Sequence, residues 1–385
     1  MFIRDITELE KNSIEILKKV DVDRGAYSIL GQKMKTYLLY ISDVNIYGAN
    51  ILKQDALSVG ADFAVPKNAI RCESEKVDGV LIATYKQLQI LSKKELAQPY
   101  GLKEIAKELK KFLKAFKYQE FQPKIMGVLN INQDSFFPNS RTNIPQLLER
   151  AEEMIGDGAD ILDIGAVSSR PFSKSIPEEE ELERVRPAID ILFRHGIHEK
   201  VELSIDSYSP KVIDYALSNG FNIVNDITGL LNDEVAKIVA KHNAKVVIMH
   251  MQGTPETMQI DPKYSDVTKE VYYFFQERIE KAKRFGIDEA NIILDIGIGF
   301  GKTLQHNIEL LQSLKTFATF GRPLLVGVSR KSMIDKIFPT PVEERLPGTL
   351  ALHQKALENG ASILRVHDVK EHKQMVEIWK AFYKV

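Results

Sequence analysis

From residue 124 onward, short runs rich in β-branched residues alternate with longer stretches at helical spacing. A chain with this rhythm folds as βα units around a parallel sheet. The spacing predicts eight strands, at 124–131, 160–164, 201–206, 222–225, 245–250, 291–294, 323–328 and 362–366. A helical stretch follows each, the last over 370–383. Ser209-Pro210 supplies a start signal for one helix and Asn219-Gly220 its stop. The length is close to the roughly 250 residues of a (β/α)8 barrel. An open doubly wound sheet could also hold eight strands, but the polar residues favour closure. Asn130, Asp163, Asp206, Asn225, His250, Asp295, Lys331, Arg365 and His367 fall at or just beyond predicted strand ends, where burial is costly unless they are used. A barrel gathers all those ends on one face, where such folds keep their chemistry. The fold class is therefore α/β: a (β/α)8 TIM barrel over residues 121–385, preceded by a small α/β N-terminal domain over residues 1–120.

In that leading region the pattern predicts strands at 34–42 and 79–84 and helices at 48–59 and 101–116. Leu102, Ile105, Ala106, Leu109, Phe112, Leu113 and Phe116 recur at helical spacing. Their opposite, lysine-rich face carries Glu104 and Glu108 and reads as a solvated surface. No catalytic motif stands out there. Composition narrows the function further: 52 Lys+Arg against 53 Asp+Glu leave a net charge of −1, which disfavours general nucleic-acid binding. The single cysteine, Cys72, excludes an intrachain disulfide and a multi-cysteine metal site. The charged N-terminus is unlike a signal peptide, and no run approaches the ~18 apolar residues of a membrane span. A soluble, cytoplasmic protein is expected.

Two phosphate motifs can be set aside. The segment from Gly297 to Thr303 resembles a P-loop, but Ile296 stands where the first glycine is required. Lys302 likewise occupies the third glycine position of a dinucleotide fingerprint. Two clusters remain. Asp206, Asn225 and Asp295 suit a heterocycle bearing several N–H donors, such as a purine, pterin or flavin, because a carboxylate accepts two N–H bonds at once. Capping of the following helix is the plainer alternative for each one alone. Arg170, Lys331, Arg365 and His367 form a cationic set that answers a phosphate or carboxylate. Asn130 and Asp134 offer oxygen ligands of the kind Mg2+ takes beside a substrate phosphate. Phe136, Phe137, Met249 and Phe300 would supply apolar walls.

In order along the chain, MGVLNINQDSF (126–136), GADILDIGAVSSRP (158–171), LSIDSYSPKVIDYAL (203–217) and VNDITG (224–229) resemble the dihydropteroate synthase family. VVIMHMQGTP (246–255), IILDIGIGFGK (292–302), VGVSRKS (326–332) and RVHDV (365–369) continue the resemblance. It implies condensation of (7,8-dihydropterin-6-yl)methyl diphosphate with 4-aminobenzoate, giving 7,8-dihydropteroate and pyrophosphate for folate, through an SN1-like cation at the pterin methylene. Carried over by position, Asp206, Asn225, Met249, Asp295, Lys331 and Arg365 would bind the pterin. Asn130, Arg170 and His367 would bind the diphosphate, with Mg2+ at Asn130. Ser169, Pro171, Phe300 and Ser332 would surround the aminobenzoate. Lys331, Arg170, Asp206 and His367 would be catalytic. The resemblance also implies a homodimer and a sulfonamide target.

The chain departs from the family in two loops. Asn132-Gln133 replaces Thr-Pro, Pro138 stands at a loop aspartate, Val167 replaces a glutamate and Ser169 a threonine. A non-catalytic pterin-binding paralogue is therefore an alternative. A pterin-barrel methyltransferase using methyltetrahydrofolate is another, although it has no need of the cationic set.

Overall fold

The computed structural model describes residues 13–115, 121–131, 144–165 and 176–383. The chain forms two compact units, Met1–Gln119 and Glu120–Val385.

In the first unit, strands β1 (Thr36–Asn45), β2 (Asp62–Ala64) and β3 (Lys76–Thr84) form an antiparallel sheet in the order β1-β3-β2. Helices Ile46–Ser58, Tyr85–Lys94 and Leu102–Ala115 accompany it. Leu52, Leu81, Leu88, Leu91 and Leu102 are fully buried in its core. Of the expected apolar stripe of the last helix, Leu102, Ala106, Leu109 and Leu113 are buried and Ile105 and Phe112 partly so, while Phe116 lies outside the described residues. On its solvated face Lys111 pairs with Glu108 at 2.6 Å. The short helices Ser13–Lys19 and Tyr27–Gly31, the helix Tyr85–Lys94 and strand β2 are additions to the sequence pattern.

In the second unit, β4 (Lys124–Asn130), β5 (Ile161–Gly165), β6 (Glu202–Asp206), β7 (Ile223–Asp226), β8 (Lys245–Met249), β9 (Ile292–Asp295), β10 (Leu324–Val326) and β11 (Ile363–Val366) close into a parallel barrel. The expected helix over 210–218 starts as its signals require: Ser209 accepts from the Val212 N–H, and Pro210 is its first residue. Strand periodicity then builds the site. Met126, Ile161, Ile223, Val247, Ile293, Leu325 and Ile363 pack together as one apolar cluster, apart from the larger one shared with the helices. Side chains two positions on share the same face of a strand. That places Asp163, Asn225, Met249, Asp295 and Arg365 in the next layer toward the C-terminal mouth, over an apolar floor.

Candidate active site

Asp163 is the centre of the mouth. It is fully buried and accepts from Ser204 Oγ at 2.6 Å, Asn225 Nδ2 at 3.1 Å and Arg365 Nε at 2.7 Å. With its NH2 group turned to Asp163, Asn225 keeps its amide oxygen as an acceptor for a ligand N–H. The Arg365 guanidinium also donates to Asp206 Oδ2 at 2.7 Å. Arg365 bridges two carboxylates, because barrel closure sets its strand beside β4 and opposite acids it cannot meet in sequence. Burial raises the Asp206 carboxyl to about 7 against the pull of Arg365, and the neighbouring Asp163 charge adds to the rise. Burial also raises Asp295, opposed by Lys331 and by the Gly297 N–H, which donates at 2.7 Å.

Lys331 precedes the helix Ser332–Ile337. Its ammonium donates to the Ile298 carbonyl and stands 4.7 Å from the centre of the Phe300 ring. Burial lowers it to about 8, while Asp295 favours its charged form. Met249 is buried opposite Asp295 in the strand ladder. His367 is half-buried, with Nδ1 2.9 Å from Ser329 Oγ. Ser332 is exposed. Asn130 ends β4, and a methyl on Gly165 would stand 3.6 Å from its Oδ1 and 3.3 Å from Asp206 Cβ. A side chain there would crowd Asp206 and the Asn130 amide, whose oxygen is a ligand type that a hard ion such as Mg2+ accepts beside substrate oxygens. Arg170, Ser169, Pro171, Asn132, Gln133, Asp134, Phe136, Phe137, Pro138 and Val167 lie outside the described residues.

Sequence reasoning gave Asp163 a place without a role and missed Lys302. That lysine is almost wholly buried. Its Nζ donates to the carbonyls of Gly297, Phe300 and His250 at 3.0, 3.0 and 3.2 Å and meets His250 Nδ1 at 3.0 Å. Such carbonyls are costly to leave unpaired, so Lys302 holds the loop that presents Phe300. The glycines of that loop have a packing reason. A methyl on Gly297 (φ +65°) would fall 1.9 Å from the His250 carbonyl, and one on Gly301 (φ +63°) 2.5 Å from that of Gln252.

The model of the pterin binding enzyme family matches residues 126–367, almost the whole of the barrel. The chain belongs to that family. Within it, the relatives are dihydropteroate synthases. A bifunctional dihydropteroate synthase/dihydropteroate reductase of Helicobacter pylori is 39% identical over 365 residues, 95% of each chain. The dihydropteroate synthase of Escherichia coli is 41% identical over 260 residues, 67% of this chain and 91% of its own. The Yersinia pestis dihydropteroate synthase, solved as a sulfonamide drug complex, superposes with a TM-score of 0.66 at 38% identity, covering 69% of this chain and 95% of that one.

Proposed function

We propose that the barrel joins (7,8-dihydropterin-6-yl)methyl diphosphate to 4-aminobenzoate, releasing pyrophosphate and forming 7,8-dihydropteroate for folate biosynthesis. The observation that carries this reading is the Asp163-centred network, which aims Asn225, Asp206 and Arg365 into one mouth beside Asp295 and Lys331. Asp295 and the Asn225 oxygen take the N–H donors of the pterin, and Lys331 takes its acceptors. Met249 and Arg365 flank the ring. Departure of the diphosphate leaves a cation spread over the exocyclic methylene and the ring, and Asp206 beside it favours that charge. Arg170, His367 and Asn130 hold the leaving pyrophosphate. Bound at Asn130, Mg2+ would supply positive charge to that leaving group. Ser169, Pro171, Phe300 and Ser332 orient the aromatic amine toward the methylene, which supplies proximity. The amine forms the new C–N bond and gives up one proton. A sulfonamide shaped like aminobenzoate competes for the same contacts.

The test is pyrophosphate release with both substrates and Mg2+, with dihydropteroate identified by mass. Pterin binding without aminobenzoate-dependent turnover would establish the non-catalytic alternative instead. Assembly as a homodimer in the cytoplasm belongs to the same reading. Among the described residues, no helix is long and apolar enough to cross a membrane.

A second activity has its own support, because the Helicobacter pylori relative named also as a dihydropteroate reductase aligns across both units. On that reading the chain reduces dihydropteroate, taking a hydride from a reduced cofactor and a proton from its surroundings. Incubation with dihydropteroate and a reduced nicotinamide or flavin is expected to yield tetrahydropteroate; unchanged dihydropteroate with both donors removes this activity.

A further inference from the structure

Two buried histidines behind the barrel mouth stand outside the chemistry described above. His353, on the helix Leu346–Glu358, and His372, on the helix Val369–Tyr383, are fully buried. Their facing nitrogens, His353 Nδ1 and His372 Nε2, are 2.8 Å apart. The outer ends of the pair reach backbone. The Val328 N–H donates to His353 Nε2 at 3.2 Å, and His372 Nδ1 lies 2.6 Å from the Asp368 carbonyl.

These end groups leave one arrangement of protons. A backbone N–H only donates, so His353 Nε2 is bare and its proton sits on Nδ1. A carbonyl only accepts, so His372 carries its proton on Nδ1 and presents a bare Nε2 to His353. Both rings are neutral, and all the bonds run in one direction from Val328 to Asp368. A proton added to the bare His372 Nε2 would face the His353 Nδ1–H and set donor against donor.

The ends of this chain of bonds matter because of their sequence neighbours. Val328 leads into Ser329, Arg330 and Lys331, while Asp368 follows His367. Two further ties join the same loops. Ser329 Oγ accepts the His367 N–H at 3.3 Å, and Arg330 grips the Asp368 carboxylate through Nε at 3.0 Å and Nη2 at 2.7 Å.

We propose that His353 and His372 are positioning residues: a strut of two imidazoles that sets the spacing of the Lys331 and His367 loops, and thereby the affinity for the diphosphate-bearing pterin. The inference rests on the functional reading of Lys331 and His367. It concerns side chains that touch neither substrate, since both are sealed beneath the loops they brace.

The strut itself is read by NMR of the 15N-histidine-labelled full chain near neutral pH. Two of the eight histidines are expected as neutral Nδ1–H tautomers that disappear in His353→Phe and His372→Asn. Assignment of either ring as the Nε2–H tautomer or as imidazolium overturns the strut. Its role is read by kinetics. His353→Phe is expected to raise KM for the pterin diphosphate about tenfold, a scale typical of lost orienting contacts, with KM for aminobenzoate within about twofold. His353→Gln, whose amide oxygen still accepts from Val328, is expected to recover most of that loss. His372→Asn keeps a donor toward Asp368 and severs only the inter-histidine bond, so it serves the same comparison should His353→Phe not fold. Unchanged constants in a folded variant, or equal changes in both KM values, overturn the role. Absence of condensation by the wild type counts against the functional reading. The role is then judged by calorimetric affinity for the pterin diphosphate, wild type against His372→Asn, where equal affinities overturn it.

Discussion

Arg365 reaches across the barrel mouth to Asp163, its Nε donating over 2.7 Å to a carboxylate 202 residues away in the chain. The acid is fully buried and its bonds to Ser204 and Asn225 make it the hub of the pocket. Asp163→Asn keeps the volume but leaves the guanidinium facing an amide. Breaking a buried pair in this way is expected to cost about 3 kcal/mol, read as a lower denaturant midpoint, with weaker pterin binding. An unchanged midpoint would show that Asp163 is not the hub.

Lys331 is a half-buried residue whose ammonium has a carbonyl partner at Ile298 and lies over the Phe300 ring. Lys331→Ala is expected to lower kcat/KM for condensation by at least about 100-fold, the scale of losing one preorganised charged donor. Steady-state pyrophosphate release measures this. Near-normal kinetics would remove the lysine from the site.

Two left-handed glycines separate backbone strain from collision. Gly286 (φ +85°) has nothing within 4 Å of an added methyl, whereas at Gly297 the methyl meets the His250 carbonyl at 1.9 Å. Gly286→Ala is expected to cost about 1 kcal/mol through its dihedral alone. Gly297→Ala adds displacement of the Lys302 loop and is expected to cost about 4 kcal/mol. Equal melting temperatures for the two variants would contradict the packing argument.

Burial holds His353 well below the ordinary 6.5 of histidine, with His372 adding to the effect, a hydrogen bond to the Val326 backbone opposing it, and Lys331 and His367 reinforcing it. Burial also lowers His372, against the Asp368 carbonyl, Asp368 and Glu371 and together with Arg330. The unfolded chain therefore binds protons that the folded chain refuses as pH falls through 6.5. The stabilising contribution is complete above that pH and is lost below it, at about 1.4 kcal/mol per pH unit for one such histidine. Buried acids with raised pKa values act in the opposite sense, so the informative quantity is a difference. The stability of the wild type relative to His353→Phe is expected to shrink steadily below 6.5. A pH-independent difference would mean that the ring protonates freely in the fold.

All eight barrel strands were legible to within two residues, because β-branched runs and helix signals are local properties. Strand β2 was not, since Asp62–Ala64 is too short to show a period and is held by pairing with β3. Asp295, Asn225 and Asp206 were legible as strand-end polar groups. Lys302 looked like a failed glycine motif, and its value lies in carbonyls that only the folded loop brings around it. His353 and His372 read as isolated residues on separate helices, and nothing at either position announces the other.

The sequence by itself determined the alternation of strands and helices, the apolar floor of the barrel and the polar layer two residues above it. Each of these follows from periodicities of 2 and 3.6 that act within a single element. Only closure of the barrel decided that Arg365 would bridge Asp163 and Asp206, that Asn225 would offer its oxygen, and that two imidazoles would join Val328 to Asp368. Those choices are pairings between distant strands and helices. Their direction is set by which donors and acceptors must be satisfied once water is gone.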